Sequence, residues 1–101
     1  MNLELPKDKI TKFCQKWQIQ ELSLFGSVLR DDFQADSDID ILVTFLEDTH
    51  WTLFDLGRME NDLNQIFDRK VDLVSKRGIK SSRNHIRRDA ILNSAEVIYA
   101  A

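Results

Sequence analysis

Residues 26–43 read GSVLRDDFQADSDIDILV. The segment just before them, ELSLF, alternates Leu22 and Leu24 against Ser23 and Phe25 and stops at Gly26, so a strand is predicted to enter a turn there. The far end of the stretch, continued as DIDILVTF, alternates again. Ile39, Ile41, Val43 and Phe45 fall on one face of a predicted strand, and Asp38, Asp40, Leu42 and Thr44 fall on the other. Two acids therefore share a strand face, a short way along the chain from a Gly-Ser turn, with a short helix predicted over Val28 to Asp31 between them.

Working outward, PKDKITKFCQKW sets Ile10, Phe13, Cys14 and Trp17 at helical spacing. From Trp51 to Phe67, Leu53, Leu56, Met59, Leu63, Ile66 and Phe67 follow the helical period, with Asp55, Glu60, Asn61 and Asn64 expected to face outward. KVDLVS reads as a third strand. The polar stretch KSSRN after Gly78 leads into a helix around Ile86 to Leu92, and EVIYA reads as a closing strand. The predicted order is α-β-α-β-α-β-α-β. It implies a single domain over residues 1–101, of α+β (α/β layered) class, with a mixed sheet backed by helices.

Composition agrees. With 43% hydrophobic and 31% charged residues but only three Gly and one Pro in 101, the chain is neither disordered, collagen-like nor low-complexity. A domain of this size hides roughly 60–70% of its unfolded surface and has little left for a second, substrate-closing domain. Cys14 is the one cysteine, so no intramolecular disulfide forms and a cytoplasmic setting is expected. MNLELPKDK has no basic segment leading into an apolar run, and neither export nor a membrane span is expected.

The net charge of −3 averages two opposed regions. Asp31 to Asp48 holds seven acids and no base, whereas Arg69 to Arg88 holds eight bases and the single acid Asp72. A solvated basic helix and a docking surface for something anionic both fit the second region. Arg83, Arg87 and Arg88 are its candidates for binding phosphates or an acidic partner surface. Phe13, Trp17 and Phe67 fit core positions, so no stacking platform for single strands and no direct nucleic-acid binding are expected.

Two carboxylates two apart on a strand stand roughly 7 Å apart at the backbone, given about 3.3 Å rise per residue. Asp38 and Asp40 can thus converge on one cation, and hard oxygen donors suit Mg²⁺ or Mn²⁺. Taken alone, Asp-x-Asp is a weak signal that surface strands also carry. Gly26 and Ser27 sharpen it: a turn into a helix exposes backbone N–H groups, the Ser27 hydroxyl adds a donor, and Gly26 lets a phosphate come close. A plain glycine turn is the other reading. A phosphate cradle beside a carboxylate pair is what metal-assisted nucleotidyl transfer requires. Asp72, in the apolar strand KVDLV, either joins the same metal site or takes a proton from an attacking hydroxyl, or else is a surface acid on an edge strand.

Gly26-Ser27, ten residues, Asp38-x-Asp40 and then Asp72 resemble the signature of the DNA polymerase beta-like nucleotidyltransferase superfamily. At this length the chain is most similar to the minimal nucleotidyltransferases (MNT), the antitoxin half of HEPN/MNT toxin–antitoxin pairs, over Leu22 to about Ile98. The resemblance implies that Gly26 and Ser27 hold the triphosphate of ATP, that Asp38 and Asp40 ligate two Mg²⁺ ions, and that Asp72 completes the triad. Arg30 matches a common family arginine, although Asp31 and Asp32 stand where many members have Gly. The implied reaction moves AMP from ATP to a tyrosine of a partner HEPN-type ribonuclease, silencing it. A binding-only antitoxin and a small-molecule nucleotidyltransferase subunit are the competing readings. His85 lacks the Arg-to-His spacing of HEPN ribonucleases, and His50 beside Trp51 reads as structural, at the start of the helix.

Overall fold

A computed structural model describes residues 5–26, 38–81 and 83–101. Along the chain lie α1 (Lys7–Lys16), β1 (Ile19–Phe25), β2 (Ile39–Phe45), α2 (Leu53–Phe67), β3 (Val71–Ser75), α3 (Lys76–Lys80), α4 (His85–Ser94) and β4 (Glu96–Ala100). The four strands form one sheet in the order β3-β2-β1-β4. β1 runs antiparallel to β2 and β4, while β2 and β3 are parallel and joined by α2. The expected mixed sheet backed by helices is therefore present. The short helix expected at Val28 to Asp31 lies outside the described residues.

Three details differ from expectation. α2 begins after Thr52, whose hydroxyl accepts from the Asp55 N–H while the Asp55 carboxylate accepts from the Thr52 N–H, and this capping box leaves Trp51 and His50 in the preceding loop. α3 was not expected. It has one buried residue, Ile79, and contains Gly78, so it offers no periodicity to read; the Ser75 hydroxyl starts it by accepting from the Gly78 N–H. Thirdly, Glu60 and Asn64 do not face outward. β3 is an edge strand, and the Asn64 Oδ1 accepts from the Val71 N–H at 2.6 Å while the Glu60 Oε2 accepts from the Leu73 N–H at 3.2 Å. Four residues on a helix and two on a strand both advance roughly 6 Å, which is why this pair fits that edge.

The two faces of the sheet are covered unequally. On one, Ile10, Phe13 and Cys14 of α1 and Met59, Leu63 and Phe67 of α2 pack against Leu22, Leu24, Ile39, Ile41, Val43 and Val71. Burial pushes the Cys14 thiol up to about 12, so it is an inert core group. The Trp51 indole N–H donates to the Trp17 carbonyl at 3.0 Å, tying the α2 approach to the end of α1. On the other face the cluster among the described residues is smaller: Phe25 and Leu42 meet Ile79 of α3 and Ile91 of α4. Among those residues α3 and α4 cover part of the face that carries Asp40 and leave a cleft beside it.

Candidate active site

Gly26 closes β1 with φ of +76°, a conformation that side chains rarely adopt. Its neighbour Phe25 pairs with Asp40 across the antiparallel β1–β2 ladder, and a Cβ built on Gly26 would run into the Asp40 carboxylate. The absence of a side chain here brings backbone directly against the acid. Asp40 is in turn the register partner of Asp72 across the parallel β2–β3 ladder, so two strands deliver two carboxylates side by side. Both line a cleft of about 510 Å³ together with Gly26, Glu60 and Arg87.

The electrostatics follow from this placement. The Asp40 carboxyl is pushed above the ordinary aspartate range by burial first, then by the charges of Asp72 and Asp38, with Arg87 acting in the opposite sense. Asp38, two residues earlier, has its Oδ2 3.9 Å from the Lys70 Nζ, with the Asp38 and Lys70 side chains 43% and 69% exposed. An exposed ion pair that long holds Asp38 only weakly.

These residues fit a hard divalent cation in donor chemistry. Asp40 and Asp72 supply carboxylate oxygens from paired register positions on adjacent strands. Among the described residues no three acidic, His or Cys side chains converge tightly enough to hold an ion as they stand. Asp38 would join the pair by leaving Lys70.

The sequence-predicted residues divide clearly. Gly26, Asp40 and Asp72 meet in the cleft, whereas Asp38, just ahead of β2, is not among the residues that line it. Ser27 and Arg30 lie outside the described residues. Arg87 lines the cleft, whereas the Arg88 guanidinium bonds its neighbour Asp89 at 3.3 Å and Arg83 is exposed ahead of α4. His85 and His50 are exposed and neither lines this cleft. Glu60 was missed as a cleft residue. Its position four after Leu56 and three before Leu63 sets it at the margin of the apolar stripe of α2, and that spacing was the available signal.

Among known proteins, the nucleotidyltransferase domain family matches residues 7–97. The Methanocaldococcus jannaschii protein named "Putative protein adenylyltransferase MJ0435" is 35% identical over 95 residues, which is 94% of this chain and 96% of that one. A crystal structure of a toxin–antitoxin with AMP-PNP superposes with a TM-score of 0.72 at 22% identity, covering 96% of this chain and 75% of that one. A structure of tri-AMPylated Shewanella oneidensis HEPN toxin in complex with MNT antitoxin superposes at 0.64 with 22% identity, over 94% of this chain and 70% of that one. At such identity these two structures share the fold. No helix among the described residues is long and apolar enough to cross a membrane.

Proposed function

Since this chain belongs to the nucleotidyltransferase domain family, we propose that it is an antitoxin that transfers AMP from ATP to a tyrosine hydroxyl of a HEPN-type ribonuclease toxin, in the cytoplasm and with Mg²⁺. The observation that carries this reading is the meeting of Gly26, Asp40 and Asp72 in one cleft, where a glycine backbone, a carboxylate pair and open space coincide. The name of the M. jannaschii relative supports adenylyl transfer to protein, and the AMP-PNP and AMPylated-toxin structures support ATP as the donor and a HEPN protein as the acceptor.

In this mechanism Gly26 and Ser27 bind the triphosphate through backbone N–H groups and the Ser27 hydroxyl, and Arg30 adds charge to the same cradle. Asp38, Asp40 and Asp72 would hold Mg²⁺, which would screen the phosphate charge and polarise the α-phosphate. The tyrosine oxygen attacks the α-phosphorus, the bond to the bridging oxygen breaks, and pyrophosphate leaves. A phenol has a pKa near 10, so its proton must be taken up as the new bond forms, and Asp72 is the strand acid beside Asp40 suited to receive it. The partner supplies the wall on the acceptor side. Arg83, Arg87 and Arg88 are the basic residues nearest to hand for its docking.

The test is the intact mass of a purified HEPN-type partner after incubation with this protein, ATP and Mg²⁺. A gain of one or more adenylyl groups, lost with Asp38→Asn or Asp40→Asn, is the expected result. Inhibition of the ribonuclease without any gain in mass would replace this mechanism by stoichiometric masking.

A further inference from the structure

One basic residue lines the cleft among the described residues, and it stands out from its neighbours. Arg87 lies in the first turn of α4, where its backbone N–H donates to the Asn84 Oδ1 cap at 3.1 Å. Ile91 follows four residues later, on the same helix face, and is buried against Phe25 and Leu42 of the sheet. That spacing puts Arg87 on the cleft side of α4, where the residue is exposed yet lines the cleft with Asp40 and Asp72. Arg88, a hundred degrees around the helix, is spent on Asp89. Arg87 forms no ion pair within 4.0 Å among the described residues, so its guanidinium is close enough to line the acidic cleft yet uncommitted to either acid.

We propose that Arg87, from the wall of the cleft, opposes binding of a divalent cation by the carboxylates until nucleotide arrives, and then engages the phosphates of the nucleotide. The inference rests on the nucleotidyl-transfer reading given above and adds to it a residue that acts on both ligands. A guanidinium is permanently charged, reaches on a flexible stem and binds phosphate in a two-pronged fashion, which suits both tasks. The direction in which its charge acts on Asp40, toward the ionised form, agrees.

Such a residue has effects of opposite sign on two ligands. Without nucleotide, Arg87 repels an incoming divalent cation; with nucleotide, it attracts the phosphates. A merely structural residue would weaken both. The experiment is a Mn²⁺ titration of the metal-free protein followed by electron paramagnetic resonance, paired with calorimetric binding of AMP-PNP in Mg²⁺.

Arg87→Gln should bind Mn²⁺ about three- to tenfold more tightly than wild type, as expected for losing one nearby positive charge. It should bind AMP-PNP about tenfold or more weakly. Arg87→Lys, which keeps the charge, should match wild type for Mn²⁺ and lose part of the AMP-PNP affinity. Lys80→Gln removes one charge outside the cleft and should change neither. Mn²⁺ affinity of Arg87→Gln equal to or below wild type overturns the proposal, as does an equal shift with Lys80→Gln. If Asp40→Asn binds Mn²⁺ as wild type does, the metal-site reading itself falls. Loss of Mn²⁺ binding in Asp40→Asn with no change in Arg87→Gln leaves that reading standing and removes only the role of Arg87.

Discussion

Gly26 shows how much chemistry can rest on a missing side chain. Its positive φ is costly for any other residue, and the space a Cβ would fill is already occupied by the Asp40 carboxylate. Gly26→Ala should therefore lower stability by about 1–2 kcal/mol in urea denaturation. It should also slow adenylyl transfer by about tenfold to a hundredfold, because Asp40 must move from its place beside Asp72. A variant with wild-type turnover would detach Gly26 from the site. The same scale explains what could be read in advance. That Asp40 stands off the core face of its strand was legible because strand period fixes which side chains share a face, whereas its meeting with Asp72 depends on β3 lying beside β2, which that period does not give. Glu60 was not legible, since helical periodicity sorts residues by apolar content and an acid at the margin of the stripe reads as solvent-facing until a strand edge is seen beside it.

Among the elements, α2 does two jobs: Met59, Leu63 and Phe67 pack the core, and Glu60 and Asn64 occupy the outward N–H groups of β3. An edge strand with satisfied donors keeps its register, and the register of β3 is what sets Asp72 opposite Asp40. Glu60→Ala and Asn64→Ala should each cost about 1–2 kcal/mol in chemical denaturation, the range for a part-buried donor left without its partner. Glu60→Gln should stay near wild type, because its amide oxygen still accepts from Leu73. α1 and α2 were legible because each carries three or more apolar residues at helical spacing, and the four strands because each is a short run with apolar residues two apart. α3 was not legible: five residues around a glycine, with Ile79 alone buried, are held by tertiary packing rather than by any local pattern.

For the molecule as a whole, the acidic and basic runs that nearly cancel in net charge are folded so that Asp40 and Asp72 share a cleft with Arg87. Gathering carboxylates costs stability when no cation is bound. The Asp40 pKa is raised in the folded state, so between the ordinary aspartate value of about 3.9 and the raised one the native protein holds more proton than the unfolded chain. Stability of the metal-free protein should therefore fall as pH rises through that window. Asp40→Asn should remove the fall and raise the melting temperature at neutral pH, with the difference vanishing in acid; thermal unfolding in chelator across pH measures it. Added Mg²⁺ should narrow the gap by stabilising the wild type alone. The unequal covering of the sheet has its own dynamic consequence. Among the described residues fourteen buried side chains hold one face together and four hold the other, and α4 gives that smaller cluster one buried side chain, Ile91. The outer wall of the cleft should therefore open and re-form at a fraction of the global unfolding free energy, which native-state hydrogen exchange of the α4 amides would measure. The carboxylates, carried on strands whose opposite face packs the larger cluster, would keep their positions while the wall bearing Arg87 opens.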